Sequence, residues 1–569
     1  MFSVEQVLDQ YFPNARFRGA LAPVLRHLLR EQDFQAFARD YPHLRGWDFV
    51  EAVLDHFDFG YQVSDREKER IPASGRVVII ANHPIGSLDG LALLKCVGEV
   101  RRDVRVVANA LLGELAPLKG LMHPVNNLVG RTSREQMEGI SRHLEDDGAL
   151  IIFPAGEVSR LRPQGVRDTH WRSGFLRLAK QSRAPVLPIL VQARNSALFY
   201  GTSMLYKPLA TVLLVREMFA QRHKQATLRI GELIPLQSFE GSQLPLRTQI
   251  KLFKKHLYRL GSQKRPLFKT ETAIAPREDR QAILDVLSGC EALGRTPDGM
   301  AIYLYRHEGD SALMREIGRL RELAFRAVGE GTGRRRDMDR FDSHYLHLVL
   351  WDPGRLEVAG AYRLADSRAV LAEQGKDGLY SHSLFNFGAD MDEILDQGLE
   401  LGRSFVQPAY WGKRALDYLW VGIGAFLARH PRYRYLFGPV SLSAQFPPAA
   451  RDLMVYFYQL YFGSQDGRTR HRRPYLLAAQ TLADLTATFS GDDYKADFVL
   501  LKDKLAGMGV NIPTLYKQYS ELCEPGGVQF LDFGTDPDFG DCIDGMVLVD
   551  THRLKAQKKA RYIDRHKAP

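Results

Sequence analysis

Short apolar runs of strand length are the feature of this sequence that most restricts its fold. They lie at residues 77–81, 104–108, 149–153 and 185–191, with helical patterns between them. Runs that are apolar at nearly every position form strands that helices cover on both faces. Later in the chain, a helical pattern is followed by runs at residues 345–351 and 356–364, which predict two consecutive strands. The sequence therefore predicts an α/β fold in both halves.

The chain is too long for a single hydrophobic core. Its 569 residues, 45% hydrophobic and 25% charged, are typical of a globular protein with several domains. We predict a helical region at residues 1–65, an α/β domain at 66–245, a basic and polar connecting region at 246–298, and a mixed α/β domain at 299–569. The two α/β segments share no repeat, which indicates a fusion rather than a duplication.

Cysteine usage and hydropathy exclude several classes of protein. The four cysteines are far apart and form no C-x-x-C pair, which argues against a zinc site or a disulfide framework and indicates a reducing compartment. We therefore expect no bound metal. No apolar run approaches the ~20 residues of a membrane-spanning helix. The first residues also lack the layout of a signal peptide.

The formal net charge of +10 favours acidic partners. Anionic lipid headgroups, nucleic acids and acidic carrier proteins are the candidates. The sequence carries no nucleic-acid-binding signature, so we expect no nucleic-acid partner. A membrane surface and an acidic protein remain.

The first candidate catalytic pair is His83 and Asp89. His83 follows the apolar run at residues 77–81, where a strand end would hold it at a loop. A histidine can take a proton from a hydroxyl, and a carboxylate on its other ring nitrogen would orient it. Pro84 and Gly86 predict a bend that brings Asp89 back to His83. The alternative is ordinary turn chemistry, with Ser87 or Asp89 as a helix N-cap.

The blocks that follow His83 in the sequence resemble the glycerolphosphate and lysophospholipid acyltransferase family. These are residues 153–160 (Phe-Pro-Ala-Gly-Glu-Val-Ser-Arg) and 184–189 (Ala-Pro-Val-Leu-Pro-Ile). The resemblance covers roughly residues 70–240 and implies that His83 is the base and Asp89 its partner. It also implies that Arg131, Gly156 and Glu157 line the acceptor site.

Two differences from that family affect the predicted acceptor. The spacing from His83 to Asp89 is one residue longer, and the third block lacks the family's arginine. An arginine there would bind a phosphate through two hydrogen bonds. Its loss indicates an acceptor without glycerol phosphate, such as a hydroxyl on another lipid.

The second candidate site is an acidic segment. Asp337, Asp339 and Asp342 lie within six residues, beside the arginines at 334–336. Such a segment could hold a cationic amino group, be neutralised by arginines, or form a solvated loop. A hard-ion metal site is the weaker alternative, because no histidine shares the spacing.

The order of residues around this segment is similar to that of the acyl-homoserine-lactone synthases, which are GNAT-like enzymes. The resemblance implies that the residues lining the site are Arg321, Asp337, Asp339, Asp342, Arg363, Glu400 and Arg403. It makes Glu400 the candidate that accepts the proton of the attacking amine, directly or through water. Residues 406–416 look like the GNAT donor loop, although Arg414 stands where most of these enzymes have a second glycine.

The two halves together resemble the bifunctional ornithine lipid synthases. The resemblance implies that the second half transfers a 3-hydroxyacyl group from acyl carrier protein to the α-amine of ornithine. The first half would then O-acylate the 3-hydroxyl of the resulting lyso-aminolipid. The implied donor is an acyl-carrier-protein thioester, with no tightly bound cofactor. The implied location is cytoplasmic, peripheral on the inner face of a bacterial cytoplasmic membrane.

Other interpretations stay open at this point. The chain could be a lysophospholipid acyltransferase with an accessory GNAT-like domain, or a membrane-binding protein without catalysis. Glycine, lysine and glutamine remain alternatives to ornithine.

Overall fold

A computed structural model describes Arg26 and residues 30–109, 115–125, 134–205, 207–262, 264–464 and 466–566. The chain divides into two compact units, Met1–Pro276 and Arg277–Pro569. The predicted connecting region at 246–298 is shared between them. Its first part forms a helix whose residues Phe253 and Leu257 belong to the core of the first unit, and Ile283 and Leu287 belong to a core of the second.

The first unit is built on a seven-stranded mixed sheet. The strands described are β1 (Gly60–Gln62), β2 (Val77–Ala81), β3 (Arg105–Asn109), β4 (Met122–Val125), β5 (Ala149–Ile152), β6 (Arg160–Arg162), β7 (Gly165–Arg167), β8 (Val186–Gln192) and β9 (Gln225–Ile230). Their order is β1-β9-β8-β2-β5-β3-β4, and β6 and β7 form a separate hairpin. The strands from β8 to β4 are parallel, and β9 runs antiparallel to β8.

Helices cover both faces of this sheet. They are α1 (Glu31–Asp40), α2 (Gly46–His56), α3 (Asp65–Lys68), α4 (Leu88–Gly98), α5 (Arg134–Glu145), α6 (Gly174–Gln181), α7 (Ala197–Leu205), α8 (Lys207–Phe219) and α9 (Leu246–Arg259). Alternate residues of β2 enter different cores: Val77 and Ile79 pack with Leu93 of α4, and Val78 and Ile80 with Phe175 of α6. Burial on both faces explains why β2 is apolar throughout.

The second unit contains an eight-stranded mixed sheet. The strands described are β10 (Glu291–Arg295), β11 (Ala301–Arg306), β12 (Leu346–Asp352), β13 (Glu357–Asp366), β14 (Phe385–Phe387), β15 (Gly398–Val406), β16 (Tyr435–Leu442), β17 (Thr469–His471), β18 (Val528–Asp536) and β19 (Cys542–Asp550). The order is β10-β11-β12-β13-β15-β16-β19-β18. The β15–β16 pair is parallel and its neighbours are antiparallel.

Helices also flank the second sheet. They are α10 (Arg280–Ser288), α11 (Ala312–Ala327), α12 (Ser367–Gln374), α13 (Tyr380–Leu384), α14 (Asp392–Asp396), α15 (Ala415–Arg429), α16 (Pro448–Phe462), α17 (Ala479–Thr488), α18 (Tyr494–Gly507), α19 (Thr514–Ser520) and α20 (Ala556–Tyr562). Leu348 and Leu350 of β12 share a core with Ile423 of α15, while Val349 packs with Leu320 of α11. The predicted α/β fold class is confirmed.

Within the described ranges, no helix has the length and hydropathy that crossing a bilayer requires. The same residues contain no group of three or more histidine, cysteine, aspartate or glutamate side chains arranged to hold a metal ion.

Candidate active sites

In the first unit, the turn after β2 brings His83 and Asp89 together. The turn contains Gly86, whose φ of 90° lies in the region that favours glycine. His83 Nδ1 and Asp89 Oδ2 are 3.1 Å apart. Asp89 also accepts the backbone N–H groups of Ile85, Gly86, Ser87 and Gly90, at 2.9–3.1 Å. The carboxylate therefore organises the turn and orients the imidazole at the same time.

The pair is electrostatically coupled. Burial lowers the pKa of His83, but the charge and hydrogen bond of Asp89 more than offset this, so the pKa lies above its ordinary value of 6.5. Burial raises the pKa of Asp89, but His83 and the backbone donors bring it below its ordinary value. Asp89 is fully buried, whereas the His83 side chain is 20% exposed and stacks on Phe153 at 4.3 Å. The structure thus holds a charged carboxylate behind an accessible imidazole.

A cavity of about 1490 Å³ opens at His83. Gly86, Gly90 and Gly156 line it beside the imidazole. Its apolar wall includes Phe34, Phe37, Phe49, Phe57, Phe175 and Phe219. An apolar cavity that ends at a base suits a long acyl chain with its reacting end at His83.

The other predicted acceptor residues have different surroundings. Glu157 accepts a hydrogen bond from the Thr169 hydroxyl and lies 3.9 Å from Arg160. Arg160 is largely buried, with Nε and Nη1 unpaired among the described residues. Arg131 lies outside the described residues. The acceptor roles of Arg131, Gly156 and Glu157 stay predictions.

A second carboxyl behind His83 was not predicted. Asp168 is buried and accepts hydrogen bonds from Ser159 Oγ at 2.5 Å and Trp171 Nε1 at 2.7 Å. Ser159 in turn donates its N–H to the His83 carbonyl at 2.9 Å. The charge of Asp168 adds to that of Asp89 in raising the pKa of His83. Asp168 lies 85 positions after His83, in no motif, so the sequence gives no signal for it.

In the second unit, arginines neutralise the acidic segment. Arg363 Nη1 lies 2.6 Å from Asp339 and 3.1 Å from Asp342. Arg321 Nη2 lies 2.8 Å from Asp342 Oδ2. Arg403 makes longer contacts, with Asp337 at 3.5 Å and Asp339 at 3.6 Å. Of the alternatives for this segment, the structure shows neutralisation by arginines rather than a solvated loop.

In this cluster, burial and the neighbouring opposite charges shift the pKa values in opposite directions. Burial raises the pKa of Asp342, but the charges of Arg321 and Arg363 bring that pKa well below its ordinary value. Burial alone would disfavour the Arg363 cation, yet Asp339 and Asp342 raise its pKa. Asp342 and Arg363 therefore stay ionised, because each has partners of opposite charge. The predicted role of these residues in substrate binding stays a prediction.

Glu400 is fully engaged in hydrogen bonds. Its Oε1 accepts the N–H of Ser381 at 2.6 Å and also the Ser381 hydroxyl, and its Oε2 accepts the hydroxyl of Tyr345. Burial raises the pKa of Glu400 despite these donors. The Arg363 guanidinium lies over the Tyr345 ring at 4.9 Å, so Tyr345 joins Glu400 to the arginine cluster.

Next to Glu400, strands β15 and β16 separate. Their parallel register includes Gly398 to Glu400 on β15 and Tyr435 to Phe437 on β16. Gly438 follows with a φ of 155°, and a Cβ there would collide with the Leu401 carbonyl oxygen. Among the described residues, the later parts of these strands are not paired with each other. The facing edges of β15 and β16 beyond Glu400 and Phe437 therefore form an opening. Their unpaired backbone groups can receive an extended chain through hydrogen bonds.

We expect Arg363→Met to lower the free energy of unfolding by about 3–5 kcal/mol, because it removes the main cation of the half-buried Asp339 and one of the two arginines that pair with the buried Asp342. Urea unfolding measures this change. Arg368→Met is the matched control, since Arg368 is 68% exposed and its ion pair with Asp396 should contribute less than about 1 kcal/mol. Unchanged stability together with lost N-acylation would show that Arg363 binds substrate instead.

Two family profiles match the chain, one in each unit. The profile described as "Acyltransferase" matches residues 9–264, and that of the "Acetyltransferase (GNAT) domain" matches residues 320–421. These matches cover both proposed centres, because His83 and Asp89 lie within the first and Arg321, Arg363 and Glu400 within the second.

Bacterial relatives with names of both kinds of acyltransferase are similar to this chain. A glycine N(alpha)-acyltransferase of Bacteroides thetaiotaomicron is 34% identical over 276 residues, which are 46% of this chain and 80% of that protein. A lyso-glycine lipid O-acyltransferase of Phocaeicola vulgatus is 31% identical over 39% of this chain and 81% of its own length. An L-ornithine N(alpha)-acyltransferase of Brucella abortus is 30% identical over 26% of this chain and 61% of its own length.

The chain is therefore an enzyme that combines two acyltransferase domains which also occur as separate proteins. It belongs to the family of these lyso-lipid O-acyltransferases and amino-acid N-acyltransferases, as a fusion of the type found in the bifunctional ornithine lipid synthases.

Proposed function

We propose that this enzyme makes an acylated amino-acid lipid in two steps. The second unit N-acylates ornithine with a 3-hydroxyacyl group, and the first unit O-acylates the new 3-hydroxyl. The observation that carries the proposal is the presence of two different centres on one chain. One is an imidazole oriented by a carboxylate at an apolar cavity, and the other is a polar centre beside separated strands.

In the O-acylation step, His83 acts as the base. Asp89 occupies Nδ1, so Nε2 is left to take the proton of the lipid hydroxyl. The hydroxyl oxygen attacks the thioester carbonyl, the new C–O bond forms, and the C–S bond breaks. His83 then returns the proton to the departing thiolate. Asp89 stabilises the imidazolium between these events without taking the proton itself.

In the N-acylation step, the acyl thioester occupies the opening between β15 and β16. The neutral α-amine attacks the thioester carbon, a C–N bond forms, and the C–S bond breaks. Glu400 accepts the amine proton directly or through water, and this proton then passes to the departing thiolate, which leaves as the thiol. The raised pKa of Glu400 suits a group that must bind a proton during turnover.

Acyl carrier protein is the donor we propose for both steps. Such proteins are acidic, and this chain carries a net charge of +10. The segment before α15 places Trp411, Lys413 and Arg414 near the helix N-terminus, where the phosphate of a pantetheine arm could bind.

We further propose a peripheral location on the inner face of a bacterial cytoplasmic membrane. The lyso-aminolipid has one long chain and would stay in the bilayer surface, at ~0.8 kcal/mol per buried methylene. Basic residues favour the anionic headgroups there.

Ornithine is the proposed amino acid, and glycine is the second candidate. Relatives that act on each are similar to this chain, and the match to a glycine enzyme is the longer one. Both candidates give a lipid with an amide and an ester, so the chemistry of the two centres is the same.

Expression in a bacterial host without aminolipids should yield a phosphorus-free lipid. The ornithine product stains with ninhydrin because its side-chain amine is free, whereas a glycine product has no free amine and does not stain. His83→Ala should leave only the mono-acylated form of the lipid, because the base for the second step is missing. Mass spectrometry of the extracted lipids distinguishes the mono-acylated form from the di-acylated product. His43→Ala, which changes an exposed histidine of the same unit, should give the full product. Altered phospholipids alone would instead identify a lysophospholipid acyltransferase.

Glu400→Gln should lower N-acylation by about 100-fold or more, the usual contribution of a general base. The substitution keeps the size of the side chain, so the unit should still fold. O-acylation of a supplied lyso-aminolipid is the internal control and should be unaffected. Full N-acylation by this variant would rule out Glu400 as the proton acceptor.

A further inference from the structure

Carboxyl groups from two strands meet beside the opening between β15 and β16. Asp544 of β19 lies opposite both Ser441 of β16 and Gly534 of β18, and Asp536 lies opposite Cys542. Residues opposite each other in antiparallel strands point to the same face, as do residues two positions apart. Ser441, Asp536 and Asp544 therefore share one face. Ser441 belongs to the part of β16 that has separated from β15.

Glu330 joins this face from the loop after α11. Its Oε2 accepts a hydrogen bond from the Ser441 hydroxyl at 2.8 Å. Asp536 accepts a backbone N–H, and Asp544 contacts the Cys542 thiol at 3.8 Å. Glu330, Asp536 and Asp544, here called the carboxyl cluster, are 6%, 4% and 4% exposed. Each keeps capacity for further hydrogen bonds, since a carboxylate offers about four acceptor positions.

The carboxyl cluster has no cation of its own. In the described part of the chain, no basic side chain forms an ion pair with any of its members. Arg403 is the positive charge that all three experience. Its guanidinium, however, lies against Asp337 and Asp339. The cluster is therefore a buried site with an excess of acid.

This excess is energetically unfavourable without a ligand. Burial raises the pKa of Glu330 to about 7. Burial also raises the pKa of Asp536 and of Asp544, and for Asp544 the charges of Asp536 and Glu330 add to the effect. Groups held in this way are stabilised when a cation binds among them.

His471 provides an independent sign that a polar ligand completes the site. A Cβ on Gly534 would collide with the His471 ring, so this ring lies on the same face as Asp544. Its Nδ1 accepts the N–H of Arg473 at 2.9 Å, which leaves the proton on Nε2. His471 is 3% exposed, and Nε2 has no partner among the described residues. The charges of Asp532 and Asp536 both act on His471, that of Asp532 more strongly.

The chemistry of the site favours an ammonium group. The described residues contain no group arranged to hold a metal ion. The α-amine of the substrate is a poor occupant, because it must lose its proton to attack and three carboxyls would oppose that loss. A second ammonium on the side chain of the amino acid has no such requirement. It would stay protonated and accept the full attraction of the cluster.

We propose that Glu330, Asp536 and Asp544, beside His471, bind the side-chain ammonium of a diamino acid while its α-amine reaches the opening between β15 and β16. This inference rests on the proposed N-acylation and names the residues that select the substrate. It predicts that ornithine is used in preference to amino acids whose side chain carries no charge.

The test is N-acylation by the full-length chain with an acyl-carrier-protein thioester and either ornithine or norvaline. Norvaline has the same three side-chain carbons without the terminal amine. The wild-type kcat/KM should favour ornithine by about 100-fold or more, as expected for a site built to bind a polar group. Equal use of norvaline or glycine would overturn this inference and leave the proposed function standing. Acylation of no amino acid would overturn both.

Variants of the carboxyl cluster test whether its residues produce the preference for ornithine. Asp544→Asn and Glu330→Gln should each lower the preference for ornithine over norvaline by about 10-fold or more, mainly through a higher KM for ornithine. Asp541→Asn is the matched control, since Asp541 is exposed in the loop that precedes β19 and should leave the preference unchanged. Thermal unfolding of each variant verifies folding. Equal losses for both amino acids would contradict a role in selection.

Discussion

The hydrogen bonds accepted by Asp89 are the interaction on which the first centre depends. A fully buried carboxylate would ordinarily gain a proton, yet here four backbone N–H groups and an imidazole stabilise its charge. The same contacts fix the turn after β2 and hold Nδ1 of His83. The rest of the centre follows from this arrangement, because the opposite ring nitrogen is left for the reacting hydroxyl at the apolar cavity.

The second centre stabilises its buried charges through ion pairs rather than through backbone hydrogen bonds. Arg321, Arg363 and Arg403 neutralise the acidic segment, and Tyr345 links that network to Glu400. Where the arginines are already engaged, the carboxyls of Glu330, Asp536 and Asp544 are left in excess. This difference in ion pairing separates the acids of the acidic segment from the acids that we propose for a cationic substrate.

The sequence predicted those parts that depend on local patterns. Apolar runs located β2, β8 and β12 within about two residues, because strands covered on both faces need apolar side chains at every position. Short motifs in the sequence predicted the bend at Gly86 and indicated the acidic segment. Asp168, His471 and Asp544 were not predicted, because each meets its partners through sheet register or loop packing across long separations. The pairing of Asp339 with Arg363 needed the structure for the same reason.

The central claim is that Asp89 makes His83 a base of raised pKa, and the pH dependence of O-acylation tests it most directly. Proton abstraction needs the neutral imidazole, so the wild-type kcat/KM for a supplied lyso-aminolipid should rise with pH through a pKa above 6.5. Asp89→Asn removes the charge that favours the imidazolium, so this limb should move to lower pH while the maximal rate falls. An Asp89→Asn profile that keeps the wild-type limb and rate would contradict the account.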